Sequence, residues 1–192
     1  ERMEKYNYNL MDKKLDILNP IVTELNTLRQ TLILQMLESA MNNKNNGYKK
    51  LSFFSVGSVY NELREETQKI GFVWSGLSQN ENISNSKPQN INFADFTKKI
   101  SNIFGDFELV EDTNIRLAHP YQSAKVLIDE VEVGFIAKLH PKIANDFDLD
   151  DTFIAEFEVE LLQQVECKAK NIVKIQKSTR DLSLVVDKNR TF

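Results

Sequence analysis

Residues 124–137, AKVLIDEVEVGFIA, decide the fold class of this chain. Two runs rich in β-branched and apolar residues, 124–128 and 131–137, flank the dipeptide Asp129-Glu130, and this two-residue spacing is typical of a β-hairpin. Hairpin strands are antiparallel. Since helical and strand patterns are interspersed along the chain without a strict β-α-β rhythm, the sequence predicts an α+β fold rather than a doubly wound parallel sheet.

The elements around this hairpin are predicted from the periodicity of apolar residues and from residues that typically begin or end helices and strands. Apolar residues at helical spacing predict a helix from a cap at Thr27 or Thr31 to the stop at 45–47, and another over 93–104. Pro141 suits the first turn of a short third helix. Gly57 indicates a bulge or a close backbone approach. Further strands are predicted at 51–60, 70–77, 107–110, 115–117, 153–159 and 182–186, with an exposed loop over 78–92.

Length and composition are those of an ordinary globular chain. The 192 residues, 41% of them hydrophobic and 27% charged, suffice for about one domain with its own core. No apolar run approaches the ~18 residues of a membrane helix. Cys167 is the only cysteine, which excludes an intramolecular disulfide framework and a cysteine-rich zinc site. The net charge of −4 argues against nucleic-acid binding over the whole surface, although a local basic patch stays compatible with it.

The charge balance reverses near Cys167. Residues 142–166 carry one lysine and eight carboxylates, whereas 167–192 carry seven basic residues and two acidic ones. This reversal predicts one domain over 1–166 and the start of another over 167–192. The chain lacks a secretory signal and ends after an alternating apolar run, so we expect a piece of a longer intracellular, cytoplasmic protein.

The dipeptides His119-Pro120 and His140-Pro141 contain the only histidines and offer two interpretations. In one, a histidine is the general base of a stand-alone hydrolase or transferase, paired with Asp129 or Glu158. In the other, favoured here, the imidazoles hydrogen-bond turns at element boundaries that the prolines define. The spacing of two histidines and one distant cysteine does not provide a zinc site.

For the other candidate residues, too, a structural role is an alternative to a functional one. Arg29 could bind a phosphate, but an ion pair with Glu24 or Glu38 is the favoured interpretation. Trp74 is predicted to be a core residue. The four aspartates within 146–151 lack the glycine and closing glutamate of a calcium loop. The sequence contains no phosphate-binding glycine loop and no nucleophile elbow. Five basic residues could contact RNA, which is a further alternative for function: Lys168, Lys170, Lys174, Lys177 and Arg180.

A series of short motifs nevertheless resembles a known family. In chain order the motifs are Leu18-Asn19-Pro20, Leu28-Arg29-Gln30-Thr31-Leu32, Phe54-Ser55-Val56-Gly57, His119-Pro120, Leu139-His140-Pro141, Phe157-Glu158 and Thr179-Arg180-Asp181-Leu182-Ser183. Together they resemble the C-terminal part of the bacterial phenylalanine–tRNA ligase β-subunit family. The family-motif positions singled out here are Asn19, Pro20, Arg29, Gly57, His119, Pro120, His140, Pro141, Arg180 and Asp181.

The resemblance implies a fold and a role. It implies a class II synthetase-like antiparallel sheet of about six strands with helices on one face over 1–166, then the truncated start of a ferredoxin-like anticodon-binding domain. It implies a non-catalytic domain that docks on the α subunit of an (αβ)₂ heterotetramer, with ATP, magnesium and tRNA used by the whole enzyme. For this chain it implies no catalytic, cofactor-binding or metal-binding residue.

Two features of the sequence bear on that expectation. Class II chemistry needs arginines that neutralise the phosphates of an adenylate, and none of the six arginines here lies in a Gly-rich setting. The sequence also departs from the family pattern at Ser55, where the family usually has Glu, and at Ile175-Gln176, where it usually has an aromatic residue and Pro. These departures affect local contacts and leave the resemblance in place.

Overall fold

A single antiparallel sheet organises the chain. The computed structural model describes residues 5, 6, 17, 27–80, 87 and 89–162. In chain order its elements are α1 (Ile33–Asn45), β1 (Lys50–Tyr60), β2 (Glu66–Gly76), α2 (Phe93–Phe104), β3 (Glu108–Glu111), β4 (Ala118–Ile128), β5 (Val131–Leu139), α3 (Pro141–Asp146), β6 (Thr152–Glu158) and a 3₁₀ turn (Val159–Leu161). The strands pair antiparallel in the order β1-β2-β6-β5-β4-β3. The predicted α+β class is therefore confirmed.

Helices cover both faces of this sheet, because its strands are apolar on both sides. In β2, Phe72 and Val73 point to opposite faces, and each is buried in a different cluster. Val73 packs with α1 and α3, whereas Phe72 packs with Phe96 and Ile100 of α2. The expectation that helices lie on one face was wrong: the apolar stripe of α2 needs a buried surface of its own, and the second face of the sheet provides it.

Helix α1 begins and ends where the sequence indicated. Of the two predicted caps, Thr31 is the residue whose hydroxyl accepts a hydrogen bond from the N–H of Ile33, at 3.1 Å. At the other end Gly47 adopts φ +90°, a conformation that glycine reaches without steric cost, and its N–H donates to the carbonyl of Lys44.

Strand β4 differs from its prediction. The sequence predicted separate strands over 115–117 and 124–128, but residues 115–117 form a turn and β4 runs continuously from Ala118. The ladder with β5 is interrupted between Ala118 and Ser123, where Pro120 has no N–H to offer. β4 thus extends the predicted 124–128 run back to Ala118 through this irregularity, and it presents Tyr121, 81% exposed, to solvent.

Several predictions lie outside the described residues. These are the domain boundary near Cys167, the strand over 182–186, and residues 81–86 and 88 of the loop predicted over 78–92. None of the described helices, of which α1 is the longest at 13 residues, is long and apolar enough to cross a membrane.

The packing of the α2 face yields a stability prediction. Phe157 is 1% exposed and its ring lies 5.2 Å from that of Phe104 and 6.2 Å from that of Phe72, centroid to centroid. We expect Phe157→Ala to lower the free energy of unfolding by about 3–5 kcal/mol in urea denaturation, since it opens a cavity in this core. The control Phe54→Ala, at a position 71% exposed, should change it by no more than about 0.5 kcal/mol. Equal losses would contradict this packing.

Candidate functional site

A cavity of about 450 Å³ opens on the α1 face of the sheet. Its walls come from β2, β6, β5 and β4, from the segment before α1, and from the turn after β3. Side chains of both charges line it: Lys69, Arg116, Lys125, Asp112, Glu132, Glu156 and Glu158. This is a concave, polar site in the centre of the sheet, and its chemistry depends on how those charges are paired.

Glu156 is the buried centre of this cavity. Its residue is 4% exposed, and its Oε1 accepts hydrogen bonds from the hydroxyl of Thr31 and from the backbone N–H of Leu32, both at 2.8 Å. Its Oε2 lies 3.2 Å from the ammonium of Lys69. The carboxylate therefore binds the N-terminus of α1, where backbone N–H groups and the helix dipole favour negative charge.

The second lysine of the cavity is also paired. The ammonium of Lys125 lies 2.9 Å from Glu132 and 3.7 Å from Asp112. Among the described residues lining the cavity, Arg116 is the only arginine. Both lysines thus already contact carboxylates of the same chain. A phosphate entering the cavity would have to displace those carboxylates or meet their negative charge.

The two histidines lie at the same end of the β4–β5 pair. The backbone N–H of His140 donates to the carbonyl of Leu117, two residues before His119. His119 Nδ1 accepts from the N–H of Tyr121, and His140 Nδ1 accepts from the N–H of Lys142 as the cap of α3, both at 3.2 Å. Each imidazole therefore binds a backbone N–H next to a proline: His140 caps the helix that follows it, whereas the contact of His119 lies within the first residues of β4 rather than in a turn.

The geometry gives no support to a histidine-dependent enzyme. Neither histidine lines the central cavity. Glu158 lines the central cavity, and Asp129 lies in the β4–β5 turn, at the other end of the hairpin from His119 and His140. Within the described ranges, no ion pair joins a histidine to a carboxylate.

Arg29 and Gly57 meet in one close contact. The guanidinium donates from Nε to the carbonyl of Ser58 and from Nη1 to the carboxamide of Gln35, both at 2.8 Å. A Cβ added at Gly57 would collide with Nη2 of Arg29, so the glycine allows the guanidinium to lie against β1. The register of β1 with β2 is unbroken there, which makes the close approach, not the bulge, the correct prediction.

Two further predictions concern single side chains. The predicted ion pair of Arg29 had two candidate partners: Glu24 lies outside the described residues, and among the described ion pairs none joins Arg29 to Glu38. Trp74 does lie in the α2-face core, with its ring 5.7 Å from that of Phe96, and the ammonium of Lys99 lies over it.

The four aspartates at the end of α3 and just after it each face a lysine. Asp146 pairs with Lys5 at 2.9 Å, and Asp151 pairs with Lys138 at 2.7 Å. The Lys5 ammonium, with a smaller effect from the Tyr6 hydroxyl, holds the pKa of the Asp146 carboxyl below its ordinary value. Lys44 lies within 3.7 Å of both Asp148 and Asp150. In the described chain no group of three or more His, Cys, Asp or Glu residues could hold a metal ion.

Comparison with known proteins decides the family. Residues 2–159 match the family model described as the phenylalanyl-tRNA synthetase beta chain CLM domain. The chain belongs to this family. Its relatives within the phenylalanyl-tRNA synthetase β-chain family include the phenylalanine–tRNA ligase β subunit of Sulfurimonas denitrificans, 41% identical over 99% of this chain, and that of Helicobacter pylori strain J99, 38% identical over 100%. The chain spans about a quarter, 25%, of the length of each.

Solved structures confirm the architecture but only at the level of the fold. A pyrrolysyl-tRNA synthetase from Desulfitobacterium hafniense superposes with a TM-score of 0.53 at 15% identity, covering 79% of this chain and 53% of that one. A second structure of this kind from the same organism has a TM-score of 0.50 at 16% identity, covering 70% and 48%. The six-stranded antiparallel sheet expected from the β-chain resemblance is thus found among tRNA synthetases.

Family-motif positions fall into two groups. Within the described residues, Arg29 and Gly57 form the contact at β1, whereas His119-Pro120 and His140-Pro141 mark the ends of β4 and β5. Asn19, Pro20, Arg180 and Asp181 lie outside the described residues, as do the basic residues from Lys168 onward. The described motif positions thus make two separate sets of contacts, one at β1 and one at the ends of β4 and β5.

Sequence reasoning missed Glu156, the central residue of the cavity. The motif that the sequence indicated, Phe157-Glu158, begins at the next residue of the same strand. The available signal was a single acidic residue between Ile154-Ala155 and Phe157, because a carboxylate inside an apolar run is rarely buried without partners. The partners, Thr31 and Lys69, are 125 and 87 residues away in the sequence, so only the fold reveals them.

The pairing of Glu156 yields a second stability prediction. We expect Glu156→Ala to lower the free energy of unfolding by about 3 kcal/mol, because it leaves the ammonium of Lys69 and two donors of the α1 N-terminus without their acceptor. The double variant Glu156→Ala/Lys69→Met should recover part of that loss, since the orphaned charge is removed. Urea denaturation measures both.

The matched control is Glu158→Ala. Glu158 projects from the same strand on the same face but makes no hydrogen bond with another described residue, so its loss should cost less than about 1 kcal/mol. If Glu156→Ala is no more destabilising than Glu158→Ala, the carboxylate does not anchor α1.

Proposed function

We propose that this chain supplies a non-catalytic, class II synthetase-like domain, over residues 1–166, to a phenylalanine–tRNA ligase. In this proposal the domain docks on the α subunit of an (αβ)₂ heterotetramer in the cytoplasm. The assembled enzyme attaches phenylalanine to its tRNA with ATP and magnesium. Residues 167–192 would then be a linker and the first strand of an anticodon-binding domain. Family membership supports the ligase context, and the geometry of the sheet supports the non-catalytic role.

The pairing of charges inside the central cavity carries this proposal. Forming an aminoacyl-adenylate builds negative charge on phosphate oxygens, and catalysis requires preorganised cations directed at it. Here the ammonium groups of Lys69 and Lys125 contact Glu156, Glu132 and Asp112 at 2.9–3.7 Å. A cavity whose lysines are neutralised by its own carboxylates is unsuited to a polyphosphate.

An apolar strip on the hairpin β1–β2 supports docking. Phe54 is 71% and Val56 55% exposed, and they lie in register opposite Phe72 and Ile70 of β2. In the described sheet β1 is an edge strand, and residues 51–59 contain no charged side chain. Edges that must stay unpaired usually carry charges, as Glu108 and Glu111 do on β3. An uncharged edge with an exposed aromatic ring fits a protein interface.

The absence of nucleotide binding is the first test of this function. In titration calorimetry of the 192-residue chain with ATP and Mg²⁺, we expect no binding heat up to millimolar nucleotide, because the cavity holds no uncommitted lysine. Addition of phenylalanine should not change that result. Micromolar affinity for ATP would contradict the non-catalytic role.

Docking through the apolar strip is the second test. In surface-based binding measurements with a purified α subunit, Phe54→Asp should weaken association by about thirtyfold, since hot-spot residues contribute at least about 2 kcal/mol and a carboxylate cannot be buried there without a partner. Leu109→Asp, at a half-exposed position on the opposite edge strand, is the matched control and should bind like the parent chain. If the two variants behave alike, the strip on β1 is not the interface.

A further inference from the structure

A second cavity, of about 380 Å³, lies at the end of the sheet where α1 stops and β1 starts. Its walls include the buried Leu51, the start of the loop at Leu77, and the ring of Tyr48. Its volume falls within the ~300–1,000 Å³ range of small-ligand sites. Tyr48 is 62% exposed, so one part of its ring bounds the cavity while the rest faces solvent.

Backbone contacts hold this aromatic residue in place. The N–H of Tyr48 donates to the carbonyl of Asn43 at 3.2 Å, and the carbonyl of Lys49 accepts from the N–H of Leu77 at 3.0 Å. Gly76, at φ +78°, leaves room for the Lys49 carbonyl, which a Cβ at that position would strike. Tyr48 is therefore fixed between a helix end and a strand start and can act as a rigid platform.

The segment that carries Tyr48 is polar and locally basic. Residues 42–50, NNKNNGYKK, contain no apolar side chain besides this ring. Lys49 and Lys50 are exposed and form no ion pair within the described part of the chain, whereas Lys44 contacts Asp148 and Asp150. The apolar neighbours of the ring, Leu51 and Leu77, line the cavity itself, so the segment outside the cavity adds no apolar surface for a protein partner. An aromatic ring flanked by lysines is instead the combination that binds unpaired nucleotides, by stacking and by phosphate contact.

We propose that this cavity binds an unpaired nucleotide of RNA. The base stacks on the ring of Tyr48 and enters the cavity, where the carboxamide of Asn90 and the carboxylate of Asp150 meet its polar edge. The neighbouring phosphates lie against Lys49 and Lys50. The choice of RNA over DNA rests on the proposed function, but the site itself does not involve the strip of Phe54 and Val56.

The test uses the 192-residue chain and a fluorescein-labelled single-stranded RNA of about ten nucleotides, within the site sizes of single-strand binders. Fluorescence anisotropy should show binding at low salt that weakens as salt rises. Tyr48→Ala should weaken it by about tenfold, the effect of losing one stacked base, and Tyr48→Phe should retain it. The double variant Lys49→Ala/Lys50→Ala should reduce the slope of log affinity against log salt by about 1.4, since two phosphate contacts to a single strand are lost.

Tyr121→Ala is the matched control, since Tyr121 is still more exposed but lies on β4 beside His119 and Pro120, away from Lys49 and Lys50. It should bind RNA like the parent chain. The proposal is overturned if no RNA binds at low salt, if Tyr48→Ala and Tyr121→Ala bind equally, or if a duplex of the same sequence binds as tightly as the single strand. Tyr48→Ala should still bind the α subunit, so failure here is distinct from failure of the docking proposal.

Discussion

The buried carboxylate of Glu156 joins the first helix to the centre of the sheet. It accepts hydrogen bonds from Thr31 and Leu32 and faces the ammonium of Lys69, while its own residue is 4% exposed. A buried charge is tolerated only where its partners are complete, so the position of α1, the register of β6 and the side chain of Lys69 are fixed together. The apolar residues on the α1 face pack around this carboxylate and its partners.

The same interaction determines what the central cavity can do. Lys69 is held by Glu156 for the stability of α1, and Lys125 is held between Glu132 and Asp112. A lysine that stabilises the folded state through a carboxylate cannot also meet a phosphate without leaving that carboxylate exposed to repulsion. The sheet thus resembles those of tRNA synthetases, whereas the lysines of its cavity form ion pairs that stabilise the folded chain.

Local patterns in the sequence predicted most of the elements and few of the contacts. The hairpin at Asp129-Glu130 and the helix over 93–104 depend on neighbouring residues, and both are found. The glycine at 57 indicated a close approach, but its partner, Arg29, is distant in the sequence. The placement of helices on both faces was missed, because it depends on how strands far apart in sequence assemble. Glu156 was missed for the same reason. Its structural role depends on contacts with Thr31 and Lys69, and no periodicity in the sequence connects these residues to it.

The two proposed contact surfaces differ in chemical character: one is apolar, and the other is polar and basic. β1 carries no charged side chain from 51 to 59 and exposes Phe54 and Val56, whereas residues 42–50, from the end of α1 to the start of β1, are polar apart from Tyr48. Burying the first surface releases water from Phe54 and Val56, and this gain does not fall as salt rises. Binding at the second depends on phosphates near Lys49 and Lys50, and it falls as salt rises. Ionic strength therefore separates the two interactions, even though Lys50 is the first residue of the strand that carries Phe54.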